Sequence, residues 1–114
     1  MALKSWENGP VGAPITIQYL REHRDQIDQV AAAHHLANVR VFGSVARGTA
    51  DERSDVDLVV DFAIPVPEDF EYYGILAEAQ EDLERLLGLR VHVVHIERPT
   101  QPPGRDILIQ AVPV

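Results

Sequence analysis

GSVARGTADERSDVDLVVDF, residues 43–62, sets a turn-forming Gly-Ser ahead of Asp55-Val56-Asp57, which runs directly into an apolar stretch. Side chains of an extended segment alternate faces, so Asp55 and Asp57 point the same way, about 7 Å apart along the chain. Two carboxylates that close repel unless a cation or a proton lies between them. A hard divalent ion answers that need, because Mg²⁺ takes one or two carboxylates and completes its shell with water and phosphate oxygens.

Upstream, Gly43-Ser44 follows a short alternating run, Val39-Arg40-Val41-Phe42, and opens about one helical turn over 44–48. A glycine there lets the backbone approach a ligand closely, and the free N–H groups of a helix start attract phosphate. The Ser44 hydroxyl and the Arg47 guanidinium add further phosphate contacts, and Gly48 completes the cradle. A phosphate cradle beside a metal-holding pair suits nucleotidyl transfer. Taken singly, an Asp-x-Asp at a strand start also serves as a turn or cap, and the residues alone leave that reading open. Asp61 lies four residues beyond Asp57 and reads as a solvated strand end.

Around this stretch the chain reads as one small α/β (α+β) domain, a small mixed β-sheet with helices packed on it. Residues 1–14 carry Gly and Pro without periodicity and read as a loose leader ahead of a single domain over 15–114. From Thr16 to about Ala37, Ile17, Leu20, Ile27, Val30, Ala31 and His34 fall on helical spacing. Arg24 interrupts that stripe, and Asn38 reads as the helix terminus. Asp55–Phe62 predicts a strand, with Leu58-Val59-Val60 apolar throughout, as burial on both faces requires. The strongest helix spans 70–87, with Tyr72, Ile75, Leu76, Ala79, Leu83, Leu86 and Leu87 in one stripe and Gly88 as its cap. Leu89–Ile96 reads as a further strand, and a Pro-rich bend leads to a short helix at Asp106–Val112.

At 114 residues the chain suffices for a single core. Ten Lys and Arg against eighteen Asp and Glu give a net charge of −8, which argues against a large nucleic-acid footprint. A nucleotide carried by metal ions stays compatible with that charge, since the metal supplies the positive part. The chain has no cysteine, which excludes disulfides, thiolate metal sites and thiol nucleophiles. No apolar run approaches the ~20 residues of a membrane span, and the start does not read as a signal peptide, so a cytoplasmic protein is expected.

Gly43-Ser44, ten residues, then Asp55-x-Asp57 resembles the signature of the polymerase-β-like nucleotidyltransferases. GSVARG followed by SDVDLVVDF, the element order and the closing ILIQAV segment are similar to the minimal nucleotidyltransferases of prokaryotes, over roughly 16–112. The resemblance implies ATP or another nucleoside triphosphate as donor and Mg²⁺ ions as cofactor. It also implies a partner, a helical HEPN-type RNase toxin, which the transferase silences as antitoxin, in some pairs by adding AMP to a toxin tyrosine. The oligomeric state is left open, a homo-oligomer included.

One position departs from the family pattern. A third carboxylate is expected from a later strand, and the matching run here reads Arg90-Val91-His92-Val93-Val94. Imidazole is a poor Mg²⁺ ligand. Three readings stand: His92 is a general base or a ligand for a softer ion such as Mn²⁺; the site runs slowly on two carboxylates; or catalysis is lost and the fold acts as an inactive antitoxin or nucleotide-binding module through protein contacts. His92 and His95 face opposite sides of a strand, and His34 and His35 diverge by about 100° on a helix, so neither pair chelates one ion.

Overall fold

The computed structural model describes residues 15–114; the leader expected over 1–14 lies outside them. Helices α1 (Ile17–Glu22) and α2 (Arg24–Ala33) lead into strand β1 (Leu36–Phe42) and the five-residue helix α3 (Gly43–Arg47). Strand β2 (Val56–Phe62), the long helix α4 (Asp69–Leu87) and strand β3 (Val91–His95) follow, closed by α5 (Gly104–Gln110) and the two-residue strand β4 (Val112–Pro113). The sheet order is β3-β2-β1-β4, with β2 and β3 parallel and the other two pairs antiparallel. The expected small mixed sheet with helices packed on it is what the chain forms.

The core lies between the sheet and helices α2 and α4. Val41, Leu58, Val60, Val91 and Val93 meet Ile27 and Ala31 of α2 and Leu76, Ala79, Leu83 and Leu87 of α4 in one buried cluster. The stripe read along 70–87 is therefore the buried face of α4, which ends at Gly88 in the left-handed conformation. Strand β3 lies at the sheet edge, and α4 covers it with side chains: Gln80 and Glu84 accept hydrogen bonds from the Val93 and Val91 N–H groups, at 3.1 and 3.0 Å. That arrangement occupies donors which would otherwise invite another strand.

Strand ends shift by one to three residues from the sequence reading, and three departures go further. The first helix is two helices, broken at His23, whose ring Nδ1 pairs with the Tyr19 carbonyl at 2.9 Å; Arg24 does not interrupt a stripe but starts the second helix, exposed. Asn38 is not a helix terminus: α2 stops at Ala33, and Asn38 sits inside β1 with φ +55. Asn tolerates the left-handed region, which serves equally at a helix end and at a β-bulge. Here it makes the bulge, where the β1–β2 register shifts between Ala37 and Arg40. Asp61 secures it, accepting from Asn38 Nδ2 at 2.8 Å and from the Arg40 guanidinium at 2.7 Å. Finally, the closing helix begins and ends earlier than expected, which releases Val112 and Pro113 to pair with Val41 and Arg40.

Candidate active site

The sheet brings the two halves of the quoted stretch together. The antiparallel register sets Phe42 opposite Asp57, so the residue after Phe42, Gly43, comes to rest against the Asp57 side chain. A Cβ at Gly43 would stand 2.5 Å from Asp57 Oδ2, inside contact distance, and Gly43 has φ +75. Glycine is required there on both counts. Behind it α3 makes one turn and stops at Gly48, φ +76, whose N–H is spent capping the helix on the Ser44 and Val45 carbonyls. Gly48 thus shapes the turn. Ser44 is half-buried, while the Arg47 side chain is exposed near the site.

The parallel register places His92 directly beside Asp57. Their closest approach is His92 Nδ1 to Asp57 Oδ1 at 3.7 Å, with the His92 side chain 60% exposed and that of Asp57 27%. Burial pushes the Asp57 carboxyl above its ordinary range; the neighbouring Asp55 charge adds to this, while His92 and Arg47 work against it. His95 falls on the opposite face of β3, packed against Phe62 and within 3.1 Å of the Tyr72 hydroxyl, as the strand alternation requires. His34 pairs with Asp82 at 2.6 Å on the far side of the sheet, away from this site.

Asp55 stands one residue before β2, and its Oδ1 is held at 3.0 Å by Arg90 Nε. Arg90 also donates to the Arg53 carbonyl at 2.7 Å, tying the polar loop to the start of β3. Among the described residues no three His, Asp or Glu side chains converge into a ready-made metal cage. Two carboxylates nonetheless fit a hard ion that arrives with a nucleotide, because phosphate oxygens and water supply its remaining ligands. Asp57, half-buried beside a second negative charge that raises its carboxyl further, is the donor such an ion would relieve.

Two residues of this site escaped the sequence reading. One is Arg90, the counter-charge of Asp55. The other is Gln110, whose Oε1 accepts from the Gly43 N–H at 3.0 Å and from Arg47 Nη1 at 3.2 Å. The signal available for Gln110 was a lone amide in the apolar run ILIQAV.

Over residues 20–112, which span every side chain just described, the sequence matches the nucleotidyltransferase domain family. The chain belongs to that family. Protein adenylyltransferase MntA of Thermococcus cleftensis is similar to this nucleotidyltransferase, 38% identical over 78 residues, 61% of this chain and 74% of that protein. A Methanocaldococcus jannaschii protein assigned as a protein adenylyltransferase is 32% identical over 77 residues, 68% of this chain and 71% of its own length. Among solved structures, one assigned as a minimal nucleotidyltransferase matches with a TM-score of 0.66 at 40% identity, covering 88% of this chain and 97% of that one. A chain in a toxin–antitoxin crystal structure with AMP-PNP has the same fold, with a TM-score of 0.62 at 20% identity over 78% of this chain and 69% of that one.

Proposed function

We propose that this nucleotidyltransferase transfers AMP from ATP to a protein hydroxyl, a tyrosine of a HEPN-type toxin, and acts as the antitoxin of that pair. The observation that carries the reading is the approach of Gly43 to Asp57, which sets a phosphate-facing turn against a carboxylate pair. The adenylyltransferase relatives support AMP as the transferred group.

Gly43, Ser44, Arg47 and Gly48 form the cradle for the triphosphate, Arg47 with charge and Gly48 through the turn it permits. Asp55 and Asp57 would hold a divalent cation, Mg²⁺ or Mn²⁺, which when bound offsets charge on the phosphates and the attacking oxygen. In the transfer, the acceptor oxygen bonds to the α-phosphorus, the bond to the β-phosphate oxygen breaks, and pyrophosphate leaves. His92, its Nδ1 turned toward Asp57, takes the hydroxyl proton as the neutral imidazole. It thus does by proton transfer part of what a third carboxylate would do.

The test is incubation with labelled ATP, Mg²⁺ or Mn²⁺, and the candidate toxin. Label is expected on a toxin tyrosine, reduced to background by Asp57→Asn and about 100-fold by His92→Ala. A tight complex with no label on any protein overturns the enzymatic reading.

A second reading, neutralisation by binding alone, is favoured by one observation. Val66, Phe70 and Tyr73 are 52%, 95% and 68% exposed, and they lie beyond the end of β2 remote from Asp57. Phe70→Ser with Tyr73→Ser is expected to abolish neutralisation under this reading, while Asp57→Asn leaves it intact. The converse pattern sustains the transferase.

A further inference from the structure

The Gly43 N–H and the Arg47 guanidinium converge on one oxygen, and that oxygen belongs to Gln110. Both donors are among those the proposed function gives to the triphosphate. The amide oxygen of Gln110 therefore stands where an anionic oxygen would be received by the same two donors. We infer that Gln110 is an internal plug of the phosphate cradle, a positioning residue that nucleotide must displace, and the inference rests on the transferase reading above.

The surroundings say how the displacement occurs. Helix α5 is clamped at its start, since a Cβ at Gly104 would stand 2.6 Å from Ile96 Cγ2 and 2.8 Å from the Arg98 carbonyl oxygen. Beyond its end, Val112 and Pro113 are paired to β1, and the Pro113 carbonyl accepts from the Arg21 guanidinium at 2.9 Å. With both flanks held, release is a rotation of the Gln110 side chain and not a shift of the helix. The amide nitrogen is weakly held, 3.4 Å from the Asp106 carbonyl, so little opposes that rotation. While the plug is seated it keeps Gly43 and Arg47 aligned on one point, and it reduces apparent affinity by the fraction of molecules that are open.

Two substitutions separate a plug from a mere support. Gln110→Ala removes the competing oxygen, and Gln110→Glu replaces it with a charged one that grips Arg47 and repels phosphate. Titration with Mg-ATP is expected to give roughly three- to tenfold tighter binding for Gln110→Ala and weaker binding for Gln110→Glu. A supporting role would weaken both. Should Gln110→Ala lower the unfolding midpoint, Gln110→Met, which keeps the stem but offers no amide acceptor, is the substitute. Equal or weaker ATP binding by Gln110→Ala or its substitute, with the unaltered protein binding normally, overturns the plug and leaves the transferase reading standing. No ATP binding by any of the chains overturns the transferase reading itself, and the plug with it.

Discussion

Gly43 carries two demands that no other residue meets together. Its backbone is left-handed, and the space where a Cβ would go is filled by Asp57 Oδ2. Gly43→Ala is therefore expected to cost roughly 1–2 kcal/mol of stability from backbone strain alone. It also pushes the Asp57 carboxylate out of place, so under the proposed function ATP-dependent transfer is expected to fall further than stability does; urea unfolding and the labelling assay read the two effects separately. Gly48 makes a useful contrast, since it shares the positive φ but has open space around its Cβ position. At this scale the sequence was highly legible. The Gly-Ser and the two Asp residues could be read as one candidate site because their spacing is local, and the structure brings Gly43 against Asp57. The polar partners were not: Arg90 and Gln110 reach the site from distant segments, and no periodicity announces a hydrogen bond across 67 positions.

Among the elements, helix α4 shows what a repeated pattern conveys. An apolar stripe over five turns leaves one way to bury the helix, and the residues read from it lie in the core or, for Ile75 and Leu86, pack against its margin. Short elements give no such redundancy. Asn38 illustrates the ambiguity, because its tolerance of positive φ suits a helix end and a bulge alike, and only pairing with β2 selects the bulge. Asn38→Val is expected to destabilise the fold by about 1–2 kcal/mol, since a β-branched residue resists that conformation, whereas Asn38→Gly is expected to be milder. Denaturant midpoints of the two variants check this. Strand β4 was illegible for a related reason: two residues, one a proline, become a strand only because β1 offers them an open edge.

Across the whole molecule, the sheet separates the candidate site from the packed side that α4 covers. His92 and Asp57 face one side, while His95 and Phe62 pack on the other against Tyr72 of α4. Burial pushes His95 below its ordinary value of 6.5, against the pull of Asp61 and Glu97. The folded state thus resists protonating this ring more than the unfolded chain does. Its contribution to stability is fully present above the unfolded value and is lost as pH falls through 6.5 toward the lower folded value. Denaturation at pH 7 and pH 5.5 is expected to show a lower midpoint at the acid end, and His95→Gln is expected to flatten the difference. Asp82, held low mainly by its bond to His34, loses its contribution only in more acid solution, so the two effects separate by pH. No helix among the described residues is long and apolar enough to cross a membrane.

By itself the sequence determined the candidate site residues of this protein, the glycine turn that carries them and the apolar face of α4, because each rests on spacing within a few residues. The tertiary structure alone decided how those groups meet. The β1–β2 and β2–β3 registers seat Gly43 and His92 against Asp57, and helix α5 delivers Gln110 to Gly43 and Arg47. Those encounters depend on loop closure and strand pairing between distant parts of the chain, whose free energy is a property of the whole fold and is not written in any one stretch of it.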